Sequence, residues 1–110
     1  MVGISAEVTE ALDRFRAALA REVRVDRLVL FGSHAHGTAD RWSDIDVAVI
    51  SPDLSDPRYA VPLMARLRVQ IDPAISPMAF TPAEWQDCGE GSFAREVKRT
   101  GIELFGPATG

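Results

Sequence analysis

The sequence predicts an α/β fold, equally read as α+β: a small mixed β-sheet with flanking helices, in one domain over residues 1–110. Three observations predict it. An amphipathic helical stripe opens the chain. Two apolar runs, Leu28-Val29-Leu30-Phe31 and Val47-Ala48-Val49-Ile50, stand either side of a glycine turn and a polar stretch. Beyond them, helix-start signals alternate with short β-branched runs.

Ile4 to Glu22 reads as the first helix. Ile4, Val8, Leu12, Phe15 and Leu19 recur at spacings of three and four, and Ser5 is an N-cap candidate. Val23 to Phe31 reads as a strand. Its continuous apolarity predicts cover on both faces. Gly32 permits a tight turn, and Ser33 to Ala39 reads as one or two helical turns ended by Gly37. Asp44 to Ile50 is the second strand, with Asp44, Asp46, Ala48 and Ile50 on one face and Ile45, Val47 and Val49 on the other. After a loop from Ser51, Asp56-Pro57 caps a helix that runs to about Arg68, with Pro62 awkward inside it. Val69 to Ile75 is the expected third strand, an edge strand because Pro73 interrupts pairing. Thr81-Pro82-Ala83-Glu84 is a capping box opening a short helix, and Ser92 caps a last one, Phe93 to Thr100. Ile102 to Phe105 reads as a final strand, and residues 107–110 as a frayed tail.

Composition excludes several classes. Apolar residues make up 46% and charged residues 25% of the chain, an ordinary globular balance. No apolar run is long enough to span a bilayer, and the N-terminus lacks a signal-peptide pattern. Cys88 is the single cysteine, which rules out an intrachain disulfide and a cysteine zinc site and makes the cytoplasm the expected compartment. A net charge of −4 disfavours stable nucleic-acid binding. It does not disfavour nucleotides, which arrive with divalent cations.

The chemistry concentrates in residues 28–50. Backbone N–H groups at Gly32-Ser33 can cradle phosphate oxygens, and the Ser33 hydroxyl adds a donor. Asp44 and Asp46 share a strand face. If the third strand pairs beside the second, Asp72 joins them. Three converging carboxylates repel one another, and a divalent cation removes the conflict. Oxygen ligands favour Mg²⁺ or Mn²⁺, ions that also bind substrate phosphates. Asp72 is the expected proton acceptor for an attacking hydroxyl. An Asp-x-Asp pair by itself is commonly a surface turn, and Gly-Ser after a strand is commonly a plain turn. Their conjunction between two apolar strands is what carries weight. His34 and His36 have no cysteine partner and read as loop residues or donors near a triphosphate rather than zinc ligands. Arg41-Trp42 reads as loop packing or as contact with base or phosphate. Arg95, Lys98 and Arg99 read as a solvated face, and Trp85, Cys88 and Phe93 as packing.

Leu30-Phe31-Gly32-Ser33, a ten-residue gap and Asp44-Ile45-Asp46 resemble the signature of the minimal nucleotidyltransferase family, within the DNA polymerase β-like nucleotidyltransferase superfamily. The likeness extends to Asp72 and to the closing Gly101-Ile102-Glu103-Leu104-Phe105-Gly106. It implies a nucleotidyltransferase fold, Mg²⁺ held by Asp44, Asp46 and Asp72, and ATP as substrate with its triphosphate at Gly32 and Ser33. It further implies transfer of AMP with release of pyrophosphate. Small members of the family are often antitoxins that adenylylate a tyrosine of a helical HEPN-domain toxin, which makes such a toxin the expected partner. In one departure, family members often carry arginines directly after Gly-Ser, where this chain has His34 and His36. The alternatives are a small-molecule or nucleic-acid acceptor, and a module that binds a toxin without catalysis.

Overall fold

The computed structural model describes residues 5–40 and 42–105. Arg41, Gly106 and the expected tail at residues 107–110 lie outside the described residues. The element order is α1 (Ala6–Ala20), β1 (Arg27–Phe31), α2 (Ser33–His36), β2 (Ile45–Ile50), α3 (Pro57–Ile71), β3 (Ile75–Phe80), α4 (Pro82–Gln86), α5 (Phe93–Thr100) and β4 (Ile102–Phe105). The strands form one mixed sheet in the order β3-β2-β1-β4. β1 pairs antiparallel with β2 and β4, while β2 pairs parallel with β3 through the α3 crossover.

Local chemistry accounts for most boundaries. Ser5 caps α1 by accepting from the Val8 N–H at 3.2 Å. Asp56 caps α3, with Pro57 at its first position. The Thr81 hydroxyl accepts from the Glu84 N–H at 3.2 Å and the Glu84 carboxylate accepts from the Thr81 N–H at 2.8 Å, which closes the capping box of α4. Ser92 caps α5 through the Arg95 N–H.

The alternation of β2 divides its side chains between two cores. Ile45, Val47 and Val49 pack with Leu28 and Leu30 under Leu12, Phe15 and Leu19 of α1 and Leu63, Met64 and Leu67 of α3. Ala48 and Ile50 pack with Val29 under Trp85 of α4 and Ala94 and Val97 of α5. Both faces of the two central strands are therefore covered over much of their length, as their continuous apolarity predicts.

Three expected elements are corrected. The first strand starts at Arg27 rather than Val23. Val23 instead trails α1, its N–H donating to the Leu19 carbonyl at 3.0 Å and its side chain entering the core. The helix expected to stop near Arg68 continues through Pro62 to Ile71. The third strand, expected over Val69 to Ile75, runs over Ile75–Phe80 instead. The helical period explains the correction: Ala60, Leu63, Met64, Leu67 and Ile71 all pack on the same core, whereas Val69 stands off that stripe and is 69% exposed. β-Branched residues favour strands only as a weak prior, which packing overrides. Pro77 lies inside β3, where an edge strand tolerates it.

Candidate active site

The site forms where β1 ends opposite the start of β2. Phe31, the last residue of β1, pairs with Asp46. The chain then turns at Gly32 with φ 75° and ψ −154°, a conformation open essentially to glycine alone. A Cβ placed on Gly32 would run into the Asp46 carboxylate, with Asp46 Cβ and Cγ each 3.3 Å away. The missing side chain is thus the space into which Asp46 leans. The expected phosphate turn and the expected metal-binding carboxylate are in direct contact.

Ser33 opens α2 and is half-buried. The Gly32 carbonyl accepts from the N–H groups of Ala35 and His36, both at 3.1 Å, and the Ser33 carbonyl accepts from the Thr38 N–H at 3.0 Å. These bonds fix the turn beneath the Ser33 hydroxyl. The approach to β2 is held by a second small network. The Asp40 carboxylate accepts from the Trp42 N–H at 2.8 Å, and the Ser43 hydroxyl accepts from the Asp40 N–H at 3.0 Å.

Asp44 is exposed just before β2, and Asp46 is half-buried within it. Burial raises the Asp46 pKa above the ordinary carboxylate value, and the Asp44 charge raises it further, while His34 opposes both. A carboxylate whose charge is opposed by burial and by a neighbouring carboxylate, beside a glycine turn, suits a hard divalent cation, which would remove the repulsion.

Asp72 does not stand on a strand beside them. The expected strand that would have carried it is the end of α3, and Asp72 is the C-cap residue. Its N–H donates to the Arg68 carbonyl at 2.8 Å, and its carboxylate accepts from the Ala74 N–H at 2.9 Å. The extended backbone that Pro73 dictates is present, with φ −160° and ψ 113°, but at a helix exit rather than in a strand. Asp72 instead lines a cavity of about 560 Å³ together with His34, Asp40 and Ser43. Among the described residues, no three His, Cys, Asp or Glu side chains converge closely enough to hold a metal ion.

The β3 residue in register with Asp46 is Ser76, which the sequence reading passed over. Its position became legible only once the strand start moved to Ile75. Phe93 also gains significance. It is 50% exposed and meets Phe31, the residue paired with Asp46, edge to face at 5.5 Å. His34 lies with its Nε2 3.5 Å from the Ser43 carbonyl, between the α2 turn and the approach to β2.

Residues 12–78 match the family described as the nucleotidyltransferase domain. A protein of Methanocaldococcus jannaschii named "putative protein adenylyltransferase" is 28% identical over 103 residues, which cover 89% of this chain and 99% of that protein. A crystal structure of a toxin-antitoxin with AMP-PNP superimposes with a TM-score of 0.65 at 22% identity, covering 91% of this chain and 74% of the other. A crystal structure described as a "putative nucleotidyltransferase" from Sulfolobus solfataricus superimposes with a TM-score of 0.56 at 16% identity, covering 98% and 95% of the two chains. Both superpositions concern the shared fold.

Proposed function

The chain belongs to the nucleotidyltransferase domain family, and we propose that it transfers AMP from ATP to a hydroxyl of a partner protein, as an antitoxin acting on its toxin. The observation that carries the reading is the Asp46 carboxylate leaning into the space above Gly32, next to Asp44. That contact brings a phosphate-holding turn and an acidic pair into one site. The relative named as a protein adenylyltransferase supports a protein acceptor. The likeness to a toxin-antitoxin structure supports a toxin as that protein. A HEPN-domain toxin modified on tyrosine is the partner that the sequence resemblance favours.

In this mechanism the terminal phosphates lie at the turn, where amide N–H groups and the Ser33 hydroxyl donate to them. Asp44 and Asp46 would hold Mg²⁺ or Mn²⁺. The ion, when bound, supplies positive charge to the triphosphate oxygens. The acceptor oxygen attacks the α-phosphorus in line, a new P–O bond forms, and the bond to the β-phosphate oxygen breaks to release pyrophosphate. The acceptor proton passes to water. Asp72, the expected base, stands at the exit of α3 with its carboxylate accepting from the Ala74 N–H. Phe31 and Phe93 form an apolar rim beside the carboxylates against which the acceptor segment rests.

Incubation with a candidate partner toxin, α-labelled ATP and Mg²⁺ tests the proposal. Label should appear on the toxin and fall about 10³-fold in an Asp44→Asn, Asp46→Asn double variant, a loss of the size expected for removing charge stabilisation at a transferring phosphoryl group. Absence of label with Mg²⁺ or Mn²⁺ and each of the common nucleotides would sink it. Ser76, standing where a third carboxylate was expected, favours one second reading, in which the toxin is neutralised by contact alone. Neutralisation that survives the double variant would establish that reading instead.

A further inference from the structure

We infer that Ser76 is the third member of the cation site, and that its neutral hydroxyl, standing where a carboxylate would fit, sets the site's intrinsic affinity for divalent cations low. The inference rests on the proposed role of Asp44 and Asp46. Its own basis is the register of the parallel pair: Ile45 with Ile75, Asp46 with Ser76, Val47 with Pro77 and Ala48 with Met78. Residues in register on neighbouring strands project to the same face, and the strands lie about 4.8 Å apart. A side chain at position 76 therefore stands next to Asp46 on the side away from Phe31. Ile75 before it is fully buried in the α1–α3 core, so the alternation of β3 directs Ser76 to the opposite face, which Asp46 shares. Ser76 is half-buried, open enough to meet a ligand. No other β3 position is adjacent to Asp46. Asp72, four residues earlier, is bonded to the backbone N–H of Ala74.

A hydroxyl can ligate Mg²⁺ or Mn²⁺ as a neutral oxygen, but it supplies no charge. Affinity at oxygen sites scales with the number of charged ligands. The native site then has two charges, from Asp44 and Asp46, and depends on the phosphates of the incoming nucleotide for the remainder.

Electron paramagnetic resonance of free Mn²⁺, titrated with the protein in the absence of nucleotide, reads this directly. Ser76→Asp should tighten Mn²⁺ binding about tenfold or more, the effect of one added carboxylate ligand. Met78→Asp adds the same charge to the same face but opposite Ala48, and should leave binding within about twofold. Asp72→Asn should also leave it within about twofold, because Asp72 is not a ligand. The inference is overturned if Ser76→Asp leaves the affinity unchanged, if Met78→Asp tightens it equally, or if Asp72→Asn weakens it tenfold. Should Ser76→Asp not fold, Ser76→Ala decides: loss of about twofold or more supports ligation by the hydroxyl, and no change overturns it. The Asp44→Asn, Asp46→Asn variant separates the two levels. If native Mn²⁺ binding survives in it, the carboxylate-pair reading fails. If binding requires the pair and Ser76→Asp has no effect, the present inference fails alone.

Discussion

The two faces of the sheet differ in what their side chains do. On the α1–α3 face, Leu12, Phe15 and Leu19 meet Leu28, Leu30, Val47, Val49 and Ile75, all without solvent exposure. The α4–α5 face holds a smaller core of Val29, Ala48, Ile50, Trp85, Ala94 and Val97. Toward the start of β2 that face gives way to Phe31, Asp46 and Ser76, with Phe93 50% and Met78 41% exposed. The same strands build both. Because side chains alternate, β2 can anchor one face with Val47 while placing Asp46 on the other. A rigid, closed face thus backs a charged, open one, so Asp46 sits on a strand whose own position is fixed by apolar packing.

The largest expected effect follows from that inequality. Phe15→Ala on the closed face should cost about 3–5 kcal/mol of unfolding free energy, a large part of the roughly 5–15 kcal/mol that holds a domain together. Val97→Ala on the other face should cost about 1–2.5 kcal/mol, the loss of two methyl groups with partial relaxation towards solvent. Urea denaturation measures both. Equal costs would mean that the smaller core carries as much of the fold as the larger one.

Next in size is Gly32→Ala, which acts where the two faces meet at the end of β1. Forcing a side chain to φ 75° and ψ −154° should cost about 1–3 kcal/mol. The new methyl group would also push the Asp46 carboxylate away. Gly91→Ala is the matched comparison, since its φ is 81° but an added Cβ meets nothing within 4 Å. The Gly91 change should reduce stability while leaving label transfer intact, whereas the Gly32 change should reduce both. Equal activity in the two variants would remove the Gly32–Asp46 contact from the mechanism.

Legibility in the sequence divides along the same line. The antiparallel β1–β2 half was readable because its two apolar runs, its glycine and its carboxylate spacing are all local. The division of β2 into Ile45, Val47, Val49 and Ala48, Ile50 followed from a period of two, and the two cores match it. The helix caps at Ser5, Asp56, Thr81 and Ser92 were readable for the same reason, each being a side chain within three residues of the N–H it satisfies. The parallel β2–β3 half was not. Its register depends on where a 15-residue crossover helix ends, and Val69-Gln70-Ile71 fits a helix end and a strand start about equally well. Moving the strand start from Val69 to Ile75 exchanged Asp72 for Ser76 beside Asp46. The acidic pair could be read locally, but its third neighbour could be read only through tertiary packing.

The smallest expected effect concerns the pair itself. Burial and the Asp44 charge raise the Asp46 pKa above 3.8, with His34 opposing them. A carboxyl group whose pKa is higher in the folded than in the unfolded chain binds more protons when folded. Stability therefore falls as pH rises from the unfolded value through the folded one, and the cost is complete above it. Asp46→Asn removes that cost. In chelator-treated buffer at pH 7 the variant should be more stable than the native chain, by on the order of 0.5 kcal/mol or less, because these partly exposed charges are screened by solvent. The advantage should disappear as pH falls below 3.8, where both folded and unfolded Asp46 are protonated. Thermal melts across that range measure it, and a variant that is less stable than the native chain at pH 7 would contradict it. Divalent cation should reverse the order at neutral pH. An ion that binds the native pair and not the variant stabilises the native chain by mass action, so Mn²⁺ added to both proteins should raise the native melting temperature and leave the variant's unchanged. Electrostatic strain on the open face is then a property of the metal-free chain, tolerated because the closed face behind it holds β2 in place.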